Sequence, residues 1–183
     1  MIIIGLGNPG KKYQNNRHNV GHMFIDYLTQ NQVRLGQNSP ILPIKSGFAG
    51  QAKLKTFKTN CFMNGSGKEV EKILKKLQVK SYNLQDVFIV HDDLDIPLGK
   101  FRIDFGRGPR LHKGIKSIEE TLNTEDFWRI RIGVDNRQKT GWVDGEAYVL
   151  QDLLKEEKEV LENEVFKKIK EKLTTIFAKN IKN

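Results

Sequence analysis

Cysteine is nearly absent. Cys61 stands alone among 183 residues, so no disulfide can form within the chain. A chain of this length can bury a real core without one, and the shortage suits a reducing compartment. Long apolar runs are missing as well. None approaches the ~20 residues that a membrane-spanning helix needs, and no basic stretch with a cleavage site precedes the first apolar run. The expectation is a soluble, cytoplasmic protein with no membrane partner. No CxxC spacing occurs, and although His91, Asp92, Asp93 and Asp95 crowd together, neighbours on a strand point to opposite faces. No bound metal is expected. Ser66 lacks a GxSxG elbow and nothing marks Cys61 as activated, so neither reads as a nucleophile. Repeats and low-complexity linkers are lacking too, which leaves one domain spanning 1–183.

Acids are outnumbered by bases, and the formal net charge is +9. Such a surplus favours a polyanionic partner but says nothing about fold. Its distribution is more telling. Lys100, Arg102, Arg107, Arg110, Lys113 and Lys116 face one acid, Asp104, within a glycine-bearing stretch. The last thirty residues instead mix eight lysines with six glutamates, the composition of a solvated helix face. The one-sign cluster is the better place for phosphate contacts.

What is present centres on Met1 to Gly21. Met1-Ile2-Ile3-Ile4 is one buried strand, broken by Gly5, Gly7, Pro9 and Gly10 around Asn8. After a polar loop comes His18, just ahead of Val20, Met23, Phe24, Tyr27 and Leu28, which share one helix face. This places Asn8 and His18 at the sheet edge where open α/β folds bind ligands. Gly5, Gly7 and Gly10 also fit GxGxxG, yet the nine residues Lys11 to Asn19 are polar and aperiodic where a dinucleotide site needs its helix to start. No cofactor is expected.

Further on, short strands are expected around Gly47 to Leu54 and Leu54 to Lys58. A loop through Asn64 then enters a helix with Val70, Ile73, Leu74 and Leu77 inward and Ser66 as its cap. Val87 to Val90 reads as a central strand ending in the carboxylates Asp92, Asp93 and Asp95, and a strand begins at Lys100. Ile115, Ile118 and Leu122 mark a short helix. Trp128 to Val134 alternates apolar residues with Arg129 and Arg131, as in a strand with one face buried. From Ala147 the chain reads helical, with Val165, Ile169, Leu173, Ile176 and Phe177 as its docking stripe. Strands alternating with helices define an α/β fold: a single mixed, mostly parallel twisted sheet with helices on both faces.

Asn8, His18, Asn64 and Asp92 all fall at strand ends or in the loops that follow. A histidine can take a proton from water near neutral pH, since its ordinary pKa is about 6.5. A carboxylate such as Asp92 would fix its tautomer and stabilise the imidazolium. The carboxamides of Asn8 and Asn64 can donate to a developing oxyanion, one such donor typically being worth roughly 10²–10³ in rate.

Ile4-Gly5-Leu6-Gly7-Asn8-Pro9-Gly10, Tyr13 and Arg17-His18-Asn19-Val20-Gly21 resemble the signature of bacterial peptidyl-tRNA hydrolases. Phe62-Met63-Asn64-x-Ser66-Gly67, His91-Asp92-Asp93-Leu94-Asp95-x-Pro97-x-Gly99 and Arg129-Ile130-Arg131-Ile132-Gly133 resemble later segments of that family, in the same order. The resemblance implies hydrolysis of the ester joining a stalled peptide to the tRNA 3′ ribose, by a cytoplasmic monomer without cofactor. It implies that His18 activates water with Asp92 as partner, and that Asn8 and Asn64 hold the substrate. Met63 would floor the cleft, Tyr13 and Phe62 would join the substrate contacts, and Arg102 and Arg131 would clamp a tRNA phosphate. One departure stands out: Lys113 replaces the asparagine usual before the short helix, and a lysine has three donors but no acceptor. The alternative is therefore an RNA-binding protein on the same scaffold whose hydrolysis is weak or lost.

Overall fold

The structure is a computed structural model that describes residues 1–30, 41–42, 54–79, 84–140 and 143–180. The strand expected around Gly47 to Leu54 lies outside these except for its last residue. Six strands form one sheet: β1 (Ile2–Gly5), β2 (Ile41–Leu42), β3 (Leu54–Lys58), β4 (Val87–Pro97), β5 (Phe101–Phe105) and β6 (Trp128–Asp135), in the order β2-β3-β1-β4-β6-β5. β1 runs parallel to β3 and β4, and β4 parallel to β6, whereas β2 and β5 join antiparallel at the two ends.

The strands' period of two sorts the core into two layers. Ile3, Phe88, Val90, Ile130 and Ile132 face α1 (Val20–Gln30) and the C-terminal helix α7 (Phe166–Asn180), meeting Phe24, Phe166, Ile169 and Leu173. Ile2, Ile4, Val87 and Ile89 face α2 (Ser66–Lys76) and α3 (Lys113–Leu122), meeting Val70, Leu74, Ile115 and Ile118. Helices thus cover both faces, and the apolar residues Ile2 to Ile4, Val87 to Val90, Ile130 and Ile132 are removed from water.

Four local expectations change. β4 does not stop at Val90: it pairs with β6 through Asp93 and, after an irregularity, at Pro97. Asp92 is therefore a ladder residue rather than a strand terminus. Ser66 does not cap α2, because Gly65 holds that position while the Ser66 hydroxyl, fully buried, donates to the Met63 carbonyl at 2.8 Å. β6 buries both faces. Arg129 lies under α3 and pairs with Glu119 at 2.7 Å, so the alternation of basic and apolar residues does not mark a wet side.

Helicity after Ala147 is also broken. The short helix α5 (Gly145–Val149) precedes an irregular segment, and α6 (Lys155–Val160) then runs through a π-turn at Leu161–Val165 into α7. Val165, Ile169 and Leu173 dock as expected and Ile176 packs partly against them, while the Phe177 side chain lies outside the described set.

Two glycines set the approach of α1 to the sheet. A Cβ on Gly21 would strike the carbonyl oxygens of Val90 and Leu6, and one on Gly5 would strike Gly21. Only bare backbone lets the start of α1 sit against the ends of β1 and β4. That contact brings the residues just before the helix over Asp92.

Candidate active site

Three consecutive residues in the short turn Arg17–Asn19 reach in three directions. Asn19 turns back to the loop after β1, where its Oδ1 accepts from the Asn8 amide and its Nδ2 donates to the Asn8 carbonyl, both at 2.9 Å. Arg17 reaches away toward the C-terminal segment, pairing with Glu157 at 2.6 Å. His18 enters the cleft between them.

Backbone clasped in this way, Asn8 directs its carboxamide at the next loop, with Oδ1 accepting from Met63 N at 2.9 Å. That bond fixes which end of the amide is which. The Nδ2 donors meet no acceptor among the described residues, so they remain for a ligand.

His18 Nδ1 lies 2.8 Å from Asp92 Oδ1. Asp92 is 2% exposed and therefore ionises only with help. Burial works against its charge, but His18 and then His112 hold its pKa far below the usual carboxylate range. Burial likewise works against a charged His18, yet the Asp92 charge and hydrogen bond outweigh it and raise the His18 pKa; Lys113 opposes them. With Nδ1–H donated to Asp92, the other ring nitrogen, Nε2, carries the lone pair. It has no partner among the described residues, and the side chain stays 11% exposed. An oriented, water-reachable base is the result.

His112 went unsuspected from the sequence. Its Nε2 donates to the same Asp92 oxygen at 3.0 Å, while its Nδ1 accepts from the amides of Gly114 and Ile115 and so caps α3. A histidine immediately ahead of the helix, two residues before Gly114, was the available signal. His91, wholly buried, donates Nδ1–H to the Asp92 carbonyl and packs its ring 4.7 Å from that of His112; burial keeps its pKa well below the ordinary value.

His18, Asp92 and His112 bring two ring nitrogens and a carboxylate oxygen within 4.8 Å of one another. The set is nonetheless wired for protons. A metal on His112 Nε2 would move that ring's proton to Nδ1, against two amide N–H groups already pointing there. His22 has helical spacing to His18 but turns aside to Thr59, 3.3 Å away, and burial and then Lys58 lower its pKa to about 4.

Other expected residues divide into rim and interior. Met63 is buried beneath the Asn8 amide, whereas Asn64 is exposed, with its carbonyl accepting from Ser117 at 2.8 Å. Phe62 is 56% exposed and meets Tyr13 edge to face at 6.0 Å, an aromatic pair at the cleft margin. Lys113 opens α3 and reaches Glu146 at 2.8 Å with both side chains in solvent.

Arg102 is exposed and lines a groove of about 730 Å³ with Lys100, Arg110 and Arg131. Arg131 differs from the expectation that joined it to Arg102. Its guanidinium is largely buried and held by Asp93 at 2.7 Å and Asp104 at 3.1 Å. Nε and Nη1 are therefore engaged with carboxylates.

An oriented His–Asp pair, free amide donors and a basic groove at the carboxyl edge of a mostly parallel sheet are the layout of a hydrolytic enzyme built on an α/β scaffold without a covalent nucleophile. The chain belongs to the peptidyl-tRNA hydrolase family, whose model matches residues 2–183. It is 39% identical over 173 residues to the peptidyl-tRNA hydrolase of Bacillus subtilis (strain 168), covering 93% of this chain and 88% of that one. With the enzyme of Desulfitobacterium hafniense (strain Y51) it shares 35% over 179 residues, covering 97% and 92%. The crystal structure of peptidyl-tRNA hydrolase from Acinetobacter baumannii superposes with a TM-score of 0.65 at 27% identity, covering 88% of this chain and 81% of that one.

Proposed function

We propose that the chain hydrolyses the ester between peptide and tRNA in peptidyl-tRNA, with His18 as general base. The observation that carries this reading is the 2.8 Å bond from His18 to Asp92, which leaves Nε2 open to the cleft. A water held at Nε2 gives its proton to the ring as its oxygen attacks the ester carbonyl. Asp92 stabilises the imidazolium, and Asn8 Nδ2 donates to the oxyanion. Collapse of the tetrahedral intermediate breaks the bond to the 3′ ribose oxygen. That oxygen takes the proton back from His18, and peptide acid and tRNA leave.

Asn64, at the exposed rim, engages the peptide carbonyl, Met63 floors the cleft, and Tyr13 with Phe62 offers aromatic surface to the substrate end. Arg102 supplies phosphate contact, with Arg131 setting the groove wall beneath it through Asp93 and Asp104. Lys113 is free to exchange Glu146 for the tRNA 3′ end, since an exposed ion pair is worth little. The intact base, partner and donor favour catalysis over an RNA-binding role alone.

Purified protein mixed with peptidyl-tRNA should release free tRNA. His18→Ala should lower kcat by roughly 10²–10⁴, the usual worth of a general base, with tRNA affinity little changed. Turnover near the parent value in that variant would remove His18 from the mechanism.

A further inference from the structure

The Arg17–Glu157 pair is buried far more thoroughly than a tether needs to be. Both side chains are 2% exposed, and every oxygen of Glu157 is in use: Oε2 accepts from Arg17 and from Leu154 N at 2.9 Å, Oε1 from Asn136 Nδ2 at 3.0 Å. The Arg17 guanidinium lies 4.1 Å over the Tyr148 ring and donates to the Asp152 carbonyl at 3.0 Å, while its backbone amide donates to Gln151. Neighbouring residues repeat the connection, Leu153 N donating to Asn15 O and Lys158 Nζ to Asn15 Oδ1, each at 2.9 Å. The groups that Asn15 and Arg17 touch directly lie between Tyr148 and Lys158, more than 130 positions from Arg17 in the chain. The next residue after Arg17 is His18.

We propose that Glu157, acting through Arg17, is a positioning residue for His18: it holds the Arg17–Asn19 turn at the angle that points the His18 ring at Asp92. It touches no substrate. Buried charges are expensive unless paired and hydrogen-bonded; this pair has both Glu157 oxygens engaged, and of the guanidinium nitrogens Nε alone finds no partner among the described residues. A surface tether would fix the loop as well; a buried one with both carboxylate oxygens engaged fixes its orientation. An error of about 1 Å in the base is enough to cost roughly 10²-fold in rate. The inference rests on His18 being the base, but its structural half can be read without substrate.

The test is Glu157→Gln in the full chain. Glutamine offers one acceptor oxygen to three donors, so the turn should relax. The expected result is kcat lowered roughly ten- to hundredfold with KM within twofold of the parent. In ligand-free protein, the His18 Nδ1–H proton resonance, identified by its loss in His18→Ala, should shift or vanish. Parent-like kcat together with an unmoved resonance would overturn the proposal. Should Glu157→Gln fail to fold, Arg17→Met with Glu157→Leu replaces the pair by apolar residues and drops the bonds to Gln151 and Asp152. Low kcat with an altered resonance in the folded double variant supports positioning, whereas parent values of both reduce the pair to a structural element and end the idea. Absence of hydrolysis by the parent would sink the hydrolase reading instead, and the resonance would still report on the turn.

Discussion

Two charges act on His18 from opposite sides. Asp92 raises its pKa against the cost of burial, and Lys113 pulls it down. A general base works when neutral, so the ascending limb of the pH–rate profile should lie above about 6.5. Lys113→Asn removes the opposing cation and should move that limb to higher pH. Asp92→Asn should move it lower and reduce kcat by about two to four orders of magnitude, because an asparagine can present the wrong group to the ring. Rates measured from pH 5 to 9 check both, and limbs shifting the same way would refute this account of His18. The linkage to folding has a definite sign: with its pKa raised, His18 adds stability below its unfolded value, and that share is lost as pH climbs through the folded one. Asn8, His18 and Asp92 were legible from the strand, turn and helix around them. His112 was not, because its meaning comes from an oxygen 20 positions away in the chain that only the folded sheet brings to it.

At the scale of the element, α3 shows how a cap can also serve a site. Its N-cap is a histidine whose other nitrogen is held by Asp92. His112→Ala removes the cap and the bond to Asp92 and should cost about 2 kcal/mol, roughly 1 for the cap and 1 for the lost donor. For a chain of this length that lowers Tm by about 4–8 °C. His112→Asn can still cap but cannot reach Asp92, so calorimetry should find about half the loss restored. Equal Tm values for the two variants would mean that the cap contributes nothing. Elements were read well where period alone decides, as in α1, α2 and α3. They were misread where a neighbour decides. β6 looked half wet because Arg129 and Arg131 alternate with apolar residues, and only Glu119, Asp93 and Asp104 make their burial affordable. Asp92 looked like a strand end because carboxylates seldom sit inside a ladder without partners.

For the molecule as a whole, the net charge of +9 has a face. Lys100, Arg102 and Arg110 line one groove, and each phosphate they neutralise releases counterions. Arg102→Ala with Arg110→Ala should weaken tRNA binding and flatten the plot of log K against log salt by about one unit per lost contact. Arg131→Ala should behave differently, destabilising the fold by about 3–5 kcal/mol because Asp93 is left buried without its cation. Titrations at several salt concentrations separate the two classes. An unchanged slope for the Arg102/Arg110 variant would place the tRNA on another face.

The stitching of Asn15, Asn16 and Arg17 to Leu150 through Lys158 bears on the order in which the protein is made. The loop that carries His18 is translated ahead of its anchor, Arg17 and Glu157 being 140 positions apart. At about 5–20 residues per second, the loop spends some seconds in existence before the anchor does. His18 and Asp92 are both synthesised well before α6, so, on the positioning role proposed for Glu157, a nascent chain arrested short of that residue would hold the pair without the means to aim it. Synthesis of α6 is then also the moment at which the proposed anchor of His18 comes into being.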